Sequence, residues 1–386
     1  MRILYAAIDQ RVPGADGGSV HVGSVASGLA ALGHEVHVLA TAGEGAPPEP
    51  AHWHAESPVL GIRQLRLLSA GRVARLAREL RPDVVIERYY NFGGEGVLAA
   101  RQVGALLVLE VNAPVVDHPG ARKRLVDRLL LVEPMRRWRE WQCARADLIV
   151  TPIAAILPAW VSPDKIVEME WGADTRRFRP DATGPVPFHR QPGETVAVFA
   201  GAFRAWHGAR KLVEAVRELR RRGQNQVRAV FIGEGPTLDD VRRLAQGVTG
   251  IEFTGRIPHE QMPSALAAAD VGVAPFEVTA HPPLALGFYW SPLKLFEYMA
   301  AGLPVVAPRI DRLSGLARHD QEGLLYDPSG PDGLVAALER LTDPAYRARL
   351  GTAARRRAET TFGWDTHCRA LELAITTALA CRRHDA

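Results

Sequence analysis

One pattern recurs along the chain: a short run of β-branched and other apolar residues, a glycine-bearing loop, then an amphipathic helix. Residues 3–8, 34–40, 82–88 and 105–111 are runs of a first set, and 196–200, 227–232, 251–255 and 271–275 of a second. Strands that read as near-continuous apolar runs are buried on both faces. Alternating with helices, they dictate βαβ units and parallel sheets. Between the sets, residues 179–193 hold four prolines and two glycines, the composition of a linker. A chain of 386 residues is long enough for two full cores. The expected fold class is α/β: two tandem doubly wound, Rossmann-like domains that bind ligands at the carboxyl ends of their strands.

In the first set, the loop 9–18 carries Pro13, Gly14, Gly17 and Gly18. Ser19 is placed to cap a helix over 20–32, which Gly33 ends. Glycines before a helix start allow close approach of a ligand, and His21 either faces that space or acts as a structural donor. Residues 43–58 read as loop. Polar residues gather past the strand ends: Glu87, Arg88, Tyr89 and Asn91, then Glu110 and Asn112. They are ligand candidates, with turn capping as the plainer alternative. Residues 122–146, rich in Arg, Leu and Trp, read as a packed amphipathic helix pair broken at Pro134, or as a stretch that lies on an anionic membrane.

The stretch from Ser291 to Ala307 carries the densest signal. Ser291 is expected as N-cap, Pro292 at the first helical position, Gly302 as the left-handed stop, and Val305 to Ala307 as a buried strand. A helix start gathers unpaired N–H groups and about half a positive charge, so it seats anions. Lys294, in the first turn, shares a face with Glu297 three residues on. A cation and a carboxylate at an anion seat suit a ligand with phosphates and hydroxyls, such as a nucleotide sugar. An ordinary surface Lys–Glu pair is the plain alternative. Arg204 and His207 follow another strand, so fixed cations are available to neutralise a leaving diphosphate without a metal. No Asp-x-Asp pair is present.

The net charge is only +4, although 47 residues are basic and all but four of these are arginine. That disfavours nucleic-acid binding, which draws on a strongly basic face. Cys143, Cys368 and Cys381 form no CxxC, which argues for a reducing compartment and against structural zinc. No apolar run reaches the roughly 18 residues of a membrane span, and the chain enters a strand at once. A cytoplasmic protein is expected, free or at the inner face of the membrane. No G-x-G-x-x-G follows a strand, which disfavours a dinucleotide-dependent dehydrogenase.

Several motifs together resemble the retaining glycosyltransferases of family 4, with the GT-B fold. They are Gly17 to His21, Trp206-His207-Gly208, Gly233-Glu234-Gly235-Pro236 and Phe253-Thr254-Gly255-Arg256. The strand 270–275, the Ser-Pro-Leu-Lys-x-x-Glu helix and Phe362-Gly363-Trp364 complete the set. The resemblance covers nearly the whole chain and implies a cleft between the domains. It implies residues 1–180 as the acceptor-side domain, 181–193 as linker, 194–360 as the nucleotide-sugar domain, and 361–386 as a helix returning to the first domain.

Residue by residue, the resemblance implies that Arg204, His207 and Lys294 stabilise the diphosphate, with help from the backbone after Ser291 (Pro292, Leu293). Glu297 would hold the ribose hydroxyls, Arg256 and Ile257 would lie beside the base, and Gly17 and Gly18 would admit the donor. His21, Arg88, Tyr89, Asn91, Glu110 and Asn112 become acceptor-side candidates. The chain departs from the family where relatives often carry Glu eight residues before the ribose Glu; here Tyr289 stands there. Asn112 replaces a common His, Trp171-Gly172-Ala173-Asp174 a common Asn-Gly-Val-Asp, and His207 a common Lys.

The expected reaction is transfer of a hexose-type sugar from a nucleotide diphosphate sugar to an acceptor hydroxyl, with retention and without a metal or other cofactor. The acceptor would be a glycan, a lipid-linked unit or a small molecule. The alternatives are another GT-B protein, such as a nucleotide-sugar epimerase, and a non-catalytic nucleotide-sugar or glycan-binding protein.

Overall fold

The structure, a computed structural model, describes residues 1–117, 121, 127, 129, 133–330 and 332–384. Two compact units emerge. The first comprises Met1–Trp171, Tyr289–Ser291 and Trp364–Ala386; the second comprises Gly172–Phe288 and Pro292–Gly363. The boundary at Trp171 lies ahead of the Pro-rich stretch 179–193.

The first unit is built on strands β1 (Arg2–Val12), β2 (Glu35–Ala42), β3 (His52–Ala55), β4 (Val84–Arg88), β5 (Leu106–Glu110), β6 (Leu148–Thr151) and β7 (Ile166–Glu168). They form one sheet in the order β3-β2-β1-β4-β5-β6-β7. Every pairing is parallel, with Ile3 opposite Val36 on one side and Val84 on the other. Residues Ile3 to Ala7 are wholly buried, as strands covered on both faces require. The strand β3 lies within 43–58, read above as loop. Its sequence His-Trp-His-Ala has no apolar alternation, and its pairing with β2 is secured by the backbone and by stacked rings, His52 on His37 at 4.8 Å.

Helices α1 (Gly17–Ala31), α2 (Ala70–Leu80), α3 (Glu95–Val103) and α4 (Pro134–Arg145) belong to this unit. Asp16, not Ser19, caps α1: its carboxylate accepts from the N–H groups of Gly18 and Ser19 and from the Ser19 hydroxyl. Much of the 122–133 portion of the expected helix pair lies outside the described residues.

The second unit carries β8 (Thr195–Ala200), β9 (Val227–Ile232), β10 (Ile251–Gly255), β11 (Val271–Val273), β12 (Val305–Pro308) and β13 (Gly323–Tyr326), all parallel, in the order β10-β9-β8-β11-β12-β13. Its helices are α5 (Ala209–Arg221), α6 (Leu238–Leu244), α7 (Met262–Ala267), α8 (Leu293–Ala300), α9 (Leu313–Leu316), α10 (Asp332–Arg340) and α11 (Pro344–Thr361). The core gathers Phe199, Phe203, Leu212, Val216, Phe231 and Leu338. Strand order reverses between β8 and β11, and in open parallel sheets such a switch point leaves a crevice beyond the strand ends.

A last helix, α12 (Trp364–His384), packs on α1 within the first unit. Cys368 fills the space where a Cβ on Gly28 would stand, and His34 Nε2 meets Glu372 at 2.9 Å. Among the described residues no helix is long and apolar enough to cross a membrane.

Candidate active site

In the second unit the switch point is built from backbone held close. Gly208 has φ 70°, and a Cβ there would stand 1.7 Å from the Pro275 carbonyl oxygen, so the β8 and β11 loops touch only because position 208 is glycine. Next to this contact lies α8. Its placement is fixed by Tyr298, whose hydroxyl accepts from the Ala200 N–H at 2.7 Å and whose ring lies where a Cβ on Gly272 would be.

The start of α8 differs from expectation. The helix begins at Leu293, Pro292 takes the N-cap position, and no side chain caps this end. Ser291 groups with the first unit, where its hydroxyl donates to Glu170 Oε2 and accepts from the Trp171 N–H, both at 2.7 Å. Its oxygen thus accepts from Trp171 and from no N–H of α8. The far end is as read: Gly302 has φ 76°, and the Leu303 N–H reaches back to the Tyr298 carbonyl.

Lys294 extends from the first turn of α8 toward β8. Its Nζ is buried and has no hydrogen-bond partner among the described residues, lies over the Phe199 and Phe276 rings, and would be 3.2 Å from a Cβ on Gly201. Burial pulls the ammonium down to about 7, against the pull of Glu297. Glu297 makes no side-chain hydrogen bond among the described residues. Burial pushes its carboxyl up to about 7, with Lys294 and Arg177 opposing. Lys294 Nζ therefore sits dehydrated and, among the described residues, unpartnered, a costly state unless another molecule completes it, with the half-buried Glu297 carboxyl beside it.

Arg204 is exposed, and its guanidinium lies 5.6 Å from the Trp206 ring centroid. His207 is half-buried, with Nδ1 at 2.6 Å from the Ala202 carbonyl oxygen. That contact requires the proton on Nδ1, which leaves Nε2 an acceptor in the neutral ring. Burial, then Lys294, draws His207 down to about 3, so the ring is neutral at pH 7. The expected diphosphate ligand is thus no ready cation here. Arg256 is exposed and 3.3 Å from Glu234, and Ile257 beside it is half-buried.

In the first unit the expected acceptor-side residues divide into separate sets. Arg88 Nη1 donates to Glu110 Oε1 at 2.7 Å, and His21 Nδ1 lies 3.2 Å from both groups. Tyr5 and Asn112 also donate to Glu110, and Trp171 Nε1 donates to Asn112 Oδ1 at 2.9 Å. His21 is 1% exposed, and burial, then Arg88, holds it well below the ordinary histidine value. This is a buried, mutually satisfied network, not a row of free ligand groups. Tyr89 and Asn91 pair apart from it at 2.9 Å. Gly17 and Gly18 open α1, but Asp16 already takes the Gly18 N–H. Tyr289 is buried, and burial pushes its hydroxyl up to about 12.

A third cluster was missed. Arg66 is wholly buried and reaches Asp9, Glu87 and Glu95, with Glu87 Oε1 at 2.7 Å. Glu87 also accepts from the N–H groups of Gly94 and Gly96, at the start of α3. Burial, then Glu95, pushes the Glu87 carboxyl upward. Only the apolar run around Glu87 hinted at this, since Arg66 is one arginine among many.

Comparison with known proteins bears on both units. The family model described as Glycosyltransferase Family 4 matches residues 15–177, and the one described as Glycosyl transferases group 1 matches 194–343. Sulfoquinovosyl transferase SQD2 of Arabidopsis thaliana is 26% identical, covering 86% of this chain and 65% of its own length. The chain thus spans just under two thirds of that relative. The MMP alpha-(1->4)-mannosyltransferase of Mycolicibacterium hassiacum is 30% identical over 335 residues, covering 80% of this chain and 75% of its own. Among solved structures, Anabaena HepE in complex with UDP-glucose aligns with a TM-score of 0.69 at 16% identity, over 98% of this chain and 100% of that one. The chain has the GT-B fold and belongs to the group 1 glycosyltransferases of family 4.

Proposed function

We propose that the protein transfers a sugar from a nucleotide diphosphate sugar to an acceptor hydroxyl, with retention at the anomeric carbon and without a metal. The observation that carries this reading is the buried, unpartnered Lys294 Nζ beside Glu297 at the β8–β11 switch point. A diphosphate supplies the negative charge Lys294 lacks, and ribose hydroxyls supply donors for Glu297. Exposed Arg204 adds a cation fixed near an aromatic face.

In the reaction the bond from the anomeric carbon to the phosphate oxygen breaks, and the diphosphate leaves with the electron pair. The acceptor oxygen attacks from the same face, and its proton passes to the departing phosphate oxygen. No pair of carboxylates is then required, in contrast to glycoside hydrolysis. Lys294 and Arg204 stabilise the charge that grows on the leaving group. Relatives named for sulfoquinovosyl and mannosyl transfer support the reaction class.

A lipid surface as the place of the acceptor has its own support in the first unit. Leu60, Ile62 and Leu68 are exposed, Leu60 at 85%, and Arg72, Arg75 and Arg78 follow on α2, just after the 3-10 turn that carries Leu68.

The test is incubation with a panel of nucleotide sugars and acceptors in the presence of a chelator, with the anomeric configuration of the product read by NMR. Transfer with retention is expected. Inverted product, or complete loss with chelator, overturns the respective part. Binding without transfer or epimerised donor supports the alternatives.

A further inference from the structure

We propose that the second unit carries a second anion site, distant from the switch point, that holds a phosphorylated solute. A cavity of about 510 Å³ is lined by Arg318, Glu322, Arg349, Arg356, Arg357 and Thr360, among others. The segment 318–322 leads into β13, so the cavity lies at the amino ends of the parallel strands. The loop carrying Arg204 and His207 leaves the carboxyl end of β8 in the same sheet. The two places are therefore at opposite ends of the unit.

The cavity wall is overcharged. Four guanidinium groups face one carboxylate, Glu322, which is 1% exposed and already held by Arg318 through Nε at 3.0 Å. Arg349 is matched by Asp320 at 2.7 Å. Arg356 has no side-chain hydrogen bond or ion pair among the described residues. Arg357 stands 4.0 Å from the shared Glu322, donates to the Gly315 carbonyl at 2.6 Å, and leaves Nε buried without a partner among the described residues. Burial, opposed by Glu322 and helped by Arg318, holds Arg357 below the ordinary arginine value. Arg356 thus stands exposed and unpaired at the rim, while Arg357 shares Glu322 and keeps a buried Nε without an acceptor among the described residues.

Geometry matches the deficit. Arg349 and Arg356 recur at helical spacing along α11, so two forks line one wall, while the Thr360 hydroxyl beside them donates to the Arg356 carbonyl. Planar guanidinium groups bind phosphate oxygens two at a time. The volume exceeds that of a single phosphate and falls in the range of small-molecule sites, which points to a phosphorylated metabolite the size of a sugar phosphate.

The test is calorimetric titration of the full chain with a hexose phosphate. Arg356→Glu should weaken binding at least tenfold, while Lys294→Met leaves it unchanged. Arg356 is exposed and unpaired, so the variant should keep the wild-type Tm and nucleotide diphosphate affinity, which verifies its fold. The proposal fails if the wild type does not bind, if Arg356→Glu binds as well as wild type, or if Lys294→Met removes the binding. It fails equally if only anionic phospholipid vesicles, and no soluble hexose phosphate, engage these arginines.

Discussion

Lys294 Nζ lies 4.3 Å from the centroid of the Phe199 ring, buried and with no hydrogen-bond acceptor among the described residues. A ring face holds a cation only weakly, so burial dominates and the ammonium titrates near pH 7. The free protein therefore loses this charge as pH rises through about 7. Affinity for a nucleotide diphosphate should fall steadily from pH 6.5 to 8.5, with proton uptake on binding in buffers of different ionisation enthalpy. Lys294→Met should lower affinity at least tenfold, about 1.4 kcal/mol, without lowering Tm. Wild-type affinity in this variant would refute the assignment.

His207 stands where relatives commonly carry lysine, and its neutral ring offers an acceptor at Nε2. An anion that needs a donor there must first protonate it. His207→Lys should tighten nucleotide diphosphate binding several-fold at pH 8, less at pH 6, and flatten the pH dependence. Equilibrium titration at the two pH values checks this.

Glu110 accepts hydrogen bonds from Arg88, Tyr5 and Asn112 within a buried network. Glu110→Ala leaves Arg88 buried without its carboxylate. Loss of stability of about 3 kcal/mol is expected, read by denaturant unfolding. Loss of turnover at unchanged stability would instead mark Glu110 as a substrate contact.

The Glu87 carboxyl binds its proton more tightly in the folded chain than in the unfolded one. Its contribution is therefore present at low pH and declines as pH climbs above the ordinary carboxylate range. Glu87→Gln should remove this decline, so the Tm of the variant changes less between pH 5 and 8 than that of wild type.

Leu68 is 67% exposed, one helical turn from Arg72. Leu60→Asp with Leu68→Asp should reduce flotation with anionic phospholipid vesicles while leaving nucleotide binding intact. Equal flotation would remove the lipid-surface reading.

The two sheets were legible because both-face burial writes itself as apolar runs, and the Lys294–Glu297 helix because its residue spacing and its Gly302 stop are local. What was misread depends on distant partners. Ser291 looks like a cap, yet Glu170 and Trp171 take its hydroxyl across about 120 positions of sequence. His52–Ala55 is a strand because β2 offers it an edge, not because of its own composition. The polar strand-end residues were found, but Arg88 and Glu110 satisfy one another, and spacing does not show which polar groups are already spoken for.

The first unit draws its pieces from three separate stretches of sequence, the last beginning at Trp364. His21, near the amino end, has the Trp364 ring at 5.4 Å and the His367 ring at 5.6 Å. During synthesis α1 thus emerges with this flank bare, and more than three hundred further residues are added before α12 covers it. Chains that stop short of α12 would present an unfinished apolar flank to the cell's quality-control machinery, however complete their second unit.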